Sequence, residues 1–465
     1  MQGTSLTPFE EDLATAILGL DTLWGGDVGS ASGTGRFIAD CYFSGKELPA
    51  AYTSPLAAAL RLSGGLSAAE PDLGGARAYL AAFDLPGALG RLTRQALAFP
   101  RLRQRYLAGL VESLQVMLDL ARERLAEGPP VPYDRCVQAS TGAGPSYVDP
   151  TPLREEAARL LAAQGEGPGA GETLLAAVDR WRQRRLVTRQ EIAEIDEQVL
   201  PALEERTERQ VLPHLPRLLR QVPRANVTFL PIDGAWFSGS MNYLGRRRTP
   251  EGEPEYEATY EINAAIELSR PELEALVAHE VVPGHVMTFA LLQALQHRGR
   301  IGFEASIGTM NSRASTLYEG IANCALLLAY GVTEPRALPG VELQLGFCLS
   351  RLQDVAKRNA SWLTYAAGQP PAEVAAALRN DCLVSPERAD KLSGSWARHP
   401  LLGRLYLPSY DAGTRRVLDL LRTVPLPRLV PVLYGAQGLV DCVTIDLALA
   451  DVLQAPPTSA SGPQP

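Results

Sequence analysis

Apolar residues recur at three- and four-residue intervals along most of the 465-residue chain, the spacing of helices that bury one face. The clearest run is Arg91 to Glu127, where Leu107, Leu110, Val111, Leu114, Met117 and Leu118 share a face and Pro100 interrupts the helix. Shorter periodic segments at Thr7 to Leu20 and Ser54 to Leu62 are separated by Gly25-Gly26 and Gly64-Gly65. Gly128 to Pro152, rich in Gly and Pro, reads as a hinge or a packed loop, and helices are expected at Leu153 to Ala163, Gly171 to Arg182 and Thr188 to Arg220. The period then changes. Asn226 to Pro231, Ala235 to Tyr243 and Glu255 to Glu267 are rich in β-branched and aromatic residues, and Tyr256, Ala258, Tyr260, Ile262, Ala264 and Ile266 alternate onto one face. Helical spacing returns after Ser269, Val430 to Leu453 is apolar enough to close a core, and the tail from Pro456 has nothing to bury. The pattern predicts a mainly α fold with a small β-sheet (α+β): an N-terminal helical lobe (1–222), a second lobe (223–455) and a disordered tail (456–465).

Histidine is scarce, and three of the five lie between Ser269 and Gly299. That stretch opens with a capping-box pattern, Ser269 and Glu272, and with Pro271 in the first turn, where a missing N–H costs little. Leu273, Leu276, Val277 and Val281 then carry His279 toward the interior. In the common zinc-peptidase signature two histidines stand four apart on one helix face, with a glutamate after the first. Here His285 follows His279 by six residues, an angular offset of about 240° in a regular helix, which turns the two rings apart. Pro283-Gly284 supplies the remedy, because proline breaks the hydrogen-bond ladder and glycine tolerates the irregular backbone that follows. A distortion there is expected to swing His285 back beside His279.

His-Glu-x-x-Pro-Gly-His, followed by Glu319-Gly320 in an apolar helix, resembles the bacterial domain-of-unknown-function family 885, grouped with zinc metallopeptidases whose third ligand is glutamate. The matching residues are His279, Glu280, Pro283, Gly284, His285, Glu319 and Gly320. Val286 stands where the family often has a second histidine, and Ile321, Cys324 and Leu326 replace its tryptophan, tyrosine and glutamate. The resemblance, over roughly Glu255 to Gly413, implies zinc held by His279, His285 and Glu319, and a site in a cleft between lobes that admits short peptides. The family's later motif sets a tyrosine three residues before a glycine; Tyr410 and Gly413 fit it, while Tyr406 fits when counted from Pro400. Tyr410 is the favoured oxyanion donor, with Tyr406, Arg398 and His399 as neighbours. In peptidases of this type an edge strand before the metal helix binds extended substrate; a sheet that only packs the helix is the plainer alternative.

The residue chemistry agrees with such a centre. Two imidazoles and a carboxylate leave zinc an open position and enough charge to bring a bound water's pKa to about 7. Glu280 is the natural general base. Glu319 lies among Leu317, Ala322, Ala325 and Leu326, where an unpaired carboxylate is costly to bury, and Asn323, one turn on, could orient it or a histidine. Manganese and cobalt accept the same ligand types. The reading is a zinc-dependent peptide hydrolase with one ion per chain; a metal- or ligand-binding protein without turnover is the alternative, and an accidental motif on a helical scaffold the third.

Composition narrows the setting. Hydrophobic content of 46% is ample for a core, and a net charge of −8 gives no reason to expect nucleic acid or an anionic membrane as partner. Only Lys46, Lys357 and Lys391 are lysines among 44 basic residues. Arg246-Arg247-Arg248 reads as a solvated turn, with capture of a peptide carboxylate the sharper alternative. Six scattered cysteines without a Cys-x-x-Cys pair argue against a disulfide framework, and the first twenty residues lack a basic leader, so a soluble cytoplasmic protein is expected.

Overall fold

The computed structural model describes residues 5–30, 32–232, 239–263 and 268–454. The fold is mainly helical with two small sheets. Helix α1 (Pro8–Leu23) starts at a capping box between Thr7 and Glu10. Strand β1 (Ala39–Tyr42) precedes α2 (Leu85–Ala96) and α3 (Arg101–Arg124), which Pro100 separates as the sequence predicts. The stretch expected as hinge or loop instead carries α4 (Tyr133–Thr141), ended by Gly142 in the left-handed region at φ 78°. Its carbonyls accept hydrogen bonds from Ser113 (2.9 Å, Ala139) and Thr316 (2.7 Å, Ser140), so it is built into the interior. Between Thr188 and Arg220 the expected long helix is broken into short pieces, with Leu200–Gln210 the longest; Pro201, Pro213 and Pro216 each start a new one.

Strands β2 (Val227–Ile232), β3 (Gly239–Tyr243) and β4 (Ala258–Asn263) form a sheet in the order β2-β4-β3, with β2 parallel and β3 antiparallel to the central β4. The alternation read in the sequence is real: Tyr256, Ala258, Tyr260 and Ile262 are all buried. Ala235, Ala264 and Ile266 lie outside the described residues, as does the tail from Pro456. Helices α5 (Arg270–Glu280) and α6 (His285–His297) follow, then β5 (Ile307–Thr309), which pairs antiparallel with β1. Taken as one span, Arg270–His297 is apolar enough to cross a membrane, yet 78% of its most apolar window is buried within the protein, as in a core helix.

Three long elements complete the site's frame: α7 (Arg313–Asn323), α8 (Val341–Tyr365) and α9 (Leu407–Thr423). The largest hydrophobic cluster runs from Leu13 to Leu449, so the division at 222/223 is not a break in the core. Helices α7 and α9 touch backbone to backbone. A Cβ on Gly320 would stand 2.2 Å from the Gly413 carbonyl oxygen, and one on Gly413 would stand 1.9 Å from that of Thr316. The two glycines of the sequence motifs are therefore the two faces of one helix crossing, and they set the distance between Glu319 and the tyrosines of α9.

Alanine at either glycine has no room without parting the helices, at a cost of about 1–3 kcal/mol. Gly320→Ala and Gly413→Ala are expected to lower the melting temperature by several degrees, whereas Gly144→Ala, whose Cβ meets nothing within 4 Å, is the neutral control. Equal melting temperatures for all three in thermal unfolding would remove the crossing from the argument.

Candidate metal centre

The capping box that opens α5 is formed as predicted: Glu272 accepts from the Ser269 hydroxyl at 2.7 Å and from its backbone N–H at 3.1 Å. The helix ends at Glu280, Val281 to Gly284 leave helical geometry, and His285 begins α6. Gly284 is required at this break, since a Cβ there would lie 1.8 Å from the His279 carbonyl oxygen. Tyr434 fixes the turn by donating to the Pro283 carbonyl at 2.7 Å. The restarted helix has a new phase. The His279 and His285 rings consequently stand 4.8 Å apart and nearly perpendicular, at 88°.

Glu319 reaches the same point from α7. Its Oε2 lies 3.7 Å from His279 Nε2 and its Oε1 3.8 Å from His285 Nε2, and ligand atoms of the three residues lie within 4.8 Å of one another. Ligands at about 2.0–2.2 Å from one zinc ion stand roughly 3.4 Å apart in a tetrahedron, so these spacings suit a single cation. Tyr406 donates to Glu319 Oε1 at 2.6 Å, while the buried Oε2 has no hydrogen-bond partner. An orphaned carboxylate oxygen facing two imidazoles is costly without a cation, which is the structural ground for the fit.

Glu280 turns its carboxylate into the same space. Its Oε1 is 4.0 Å from His279 Nε2, and its Oε2 accepts the Met241 backbone N–H of the edge strand β3 at 3.2 Å. Burial dominates the electrostatics. It pushes the Glu280 carboxyl up to about 8, helped by the neighbouring Glu319, and Glu319 itself up to about 7 against the Tyr406 hydrogen bond. It pushes His285 down to about 4 and His279 well below the ordinary imidazole value. Without a cation, then, burial drives the carboxyls toward the protonated form and the imidazoles toward the neutral form, whose lone pairs are free to ligate.

Asn323 donates to Thr414 Oγ1 at 2.8 Å and also supports His279 through a hydrogen bond, as a partner behind the ligand. Tyr406, the residue just before α9, and Tyr410 one turn on share a face with their rings 5.2 Å apart, and both line the cavity with His279, His285 and Glu319. It is Tyr406 that holds Glu319. Two expected neighbours are elsewhere. Arg398 is exposed, and His399 stacks on Phe37 (5.3 Å, 7°) while its Nδ1 accepts from the Leu401 and Leu402 N–H groups at 3.3 and 3.2 Å. The arginine run is structural in part: Arg246 donates to the carbonyls of Val28 and Gly29 and Arg248 to that of Phe43, while Arg247 is exposed.

Three nearby residues escape the sequence reading. Arg36 and Asp40 line the cavity from the N-terminal part of the chain, where no motif marks them. Lys357 on α8 lies 3.6 Å from Asp354, with its Nζ 3.2 Å from the Tyr410 ring centroid. Its one sequence signal is rarity, since it is one of three lysines in the chain.

No family model matches the chain, and no curated protein matches it either. Solved structures share the fold. One is described as a "putative lipoprotein" from Colwellia psychrerythraea, 16% identical, with a TM-score of 0.51 over 82% of this chain and 70% of that one. Another, a "putative lipoprotein of unknown function" from Shewanella oneidensis, is 14% identical, with a TM-score of 0.51 over 86% of this chain and 78% of that one.

Elemental analysis of protein purified with zinc is expected to give about one ion per chain. His279→Ala, His285→Ala and Gly284→Ala should lose it, and Glu280→Gln should retain it. Metal content unchanged in both histidine variants would rule this centre out.

The pKa shifts also predict a pH signature for the metal-free protein. Each carboxyl is raised above its ordinary 4.5, so the native state keeps protons the unfolded chain has released, a stabilisation lost as pH rises through about 7 to 8. Each imidazole is depressed below 6.5, so the native state is penalised as pH falls below that value. The two effects oppose one another below about 6.5, and above it only the carboxyls act. The gap in melting temperature between zinc-loaded and chelator-treated protein should therefore widen between pH 6.5 and 8; a constant gap would contradict these protonation states.

Proposed function

We propose that the protein is a zinc-dependent hydrolase of peptide bonds acting on short peptides, with His279, His285 and Glu319 holding one divalent ion. The observation that carries this reading is Glu280. A carboxylate at 4.0 Å from one ligand nitrogen, fixed by the Met241 N–H, is superfluous in a structural site and is what a hydrolytic site needs.

A divalent ion in this place supplies Lewis-acid polarisation of the scissile carbonyl and acidifies water. The remaining work falls to side chains. Glu280 accepts a proton from the attacking water at Oε1 and returns it to the departing amine nitrogen as the C–N bond breaks, while its Oε2 stays anchored on β3. Tyr410 donates to the oxygen on which negative charge develops. Tyr406 holds Glu319, and the apolar lining of Met241, Phe289, Met310 and Leu402 keeps bulk water out. A cavity of about 160 Å³ is smaller than the common range of ligand pockets, about 300–1,000 Å³, which favours short substrates.

For location, all six cysteines are free, which favours the reducing cytoplasm. The lipoprotein descriptions of the two structural neighbours favour the cell envelope instead.

Glu280→Gln should keep its zinc while cleavage of a mixed peptide pool, followed by mass spectrometry, falls about 10²- to 10⁴-fold. Undiminished cleavage would take Glu280 out of the mechanism. A zinc-loaded wild-type protein that cleaves nothing in the pool would favour metal binding without turnover.

A further inference from the structure

We propose that Asp40 receives the free N-terminal ammonium of the substrate, so that the centre acts on the first peptide bond of a chain. The cleavage part of this statement rests on the hydrolase reading above; the binding part does not.

Asp40 sits at an irregularity in the β1–β5 ladder. Ala39 pairs with Thr309 and Cys41 with Gly308, so Asp40 is the extra residue of a bulge. Bulges re-aim a side chain, and here Ala39 and Cys41 are buried while the Asp40 side chain stays 23% exposed and lines the cavity with His279, Glu280, His285 and Glu319. Its charge is felt at His285, Glu280 and Glu319 alike.

Of the three carboxylates among the described lining residues, Glu319 is the ligand and Glu280 the base. Asp40 alone has no part in the centre. Nor is it used up by its ion pair. Arg36 reaches Asp40 Oδ1 only at 3.3 Å, longer than the 2.7–2.9 Å of a strong charge-assisted bond, and the same nitrogen also serves the Asp40 carbonyl. The other terminal nitrogen of Arg36 is held by the Ser30 carbonyl at 2.9 Å. Its Nε is buried, and the whole residue is only 6% exposed. The accessible charge of the pocket is therefore an anion, which selects a terminal ammonium over a terminal carboxylate.

Size points the same way. The enclosed part of the cavity, about 160 Å³, has room for one small residue next to Asp40. With the ammonium on Asp40, the water oxygen bonds to the carbonyl carbon of the first residue, the C–N bond to the second residue breaks, and the proton passes through Glu280 to the freed amine. Phe289 and Met310 offer the first side chain an apolar wall.

The test uses zinc-loaded full-length protein with tri-alanine, its N-acetyl derivative and its C-terminal amide. Binding is measured on Glu280→Gln by calorimetry, and hydrolysis on wild type. N-acetylation should weaken binding and kcat/KM at least tenfold, and C-terminal amidation should change neither by more than about twofold. Asp40→Asn, nearly isosteric and checked for unchanged zinc content, should erase the discrimination between free and acetylated peptide. If acetylated and free peptides bind and react alike, or only amidation is harmful, the proposal is wrong while the hydrolase reading survives. If discrimination by Asp40 is seen in binding but wild type hydrolyses nothing, the ammonium site stands and the hydrolase reading falls. If none of the three peptides binds, the proposal is overturned.

Discussion

Two carboxyls and two imidazoles share one desolvated pocket, and the cost of that burial organises what surrounds it. Removed from water, each group is driven to its uncharged form, and Glu319 Oε2 is left without a partner. Such an arrangement persists only if the frame is strong enough to impose it or a cation repays it. The frame is visible: a capping box at Ser269, a helix break sealed by Tyr434, and a crossing of α7 and α9 so close that neither helix tolerates a Cβ. Each fixes one approach to the pocket, and none would be needed for a helical bundle alone.

The elements most legible in sequence were those whose cause is local. Pro100 divides α2 from α3, the capping box starts α5, and the six-residue spacing of His279 and His285 demands the break that Gly284 permits. Strand β4 was readable from its alternation, because a one-sided buried strand must alternate. The misses have a common origin in contacts distant along the chain. Helix α4 is hidden by flanking Gly and Pro, and its place depends on Ser113 and Thr316. His399 stands near Tyr406 and Tyr410 in sequence but is claimed by Phe37, more than three hundred residues earlier. Arg36 and Asp40 carry no pattern at all; Asp40 is aimed by a bulge opposite β5 and not by its local sequence.

The tyrosines show how spacing and contact divide the work. Four residues apart across the start of α9, Tyr406 and Tyr410 both fit the motif, Tyr410 the better by its spacing to Gly413, and helical geometry sends both to the same face. What separates them is contact: the Tyr406 hydroxyl is committed to Glu319, whereas the Tyr410 ring rests on Lys357, and both line the cavity. A sequence pattern can name a helix face; the close packing of that face on α7 at Gly320 and Gly413 is what brings Tyr406 to Glu319.

The cavity wall draws on Asp40 near one end of the chain and on Tyr410 near the other. During vectorial synthesis the early strand β1 must wait for β5, more than two hundred and fifty residues later, before it has a hydrogen-bonding partner. An unfinished polypeptide therefore lacks part of the cavity wall until β5 has been made, so the pocket is among the last features of the fold to be completed.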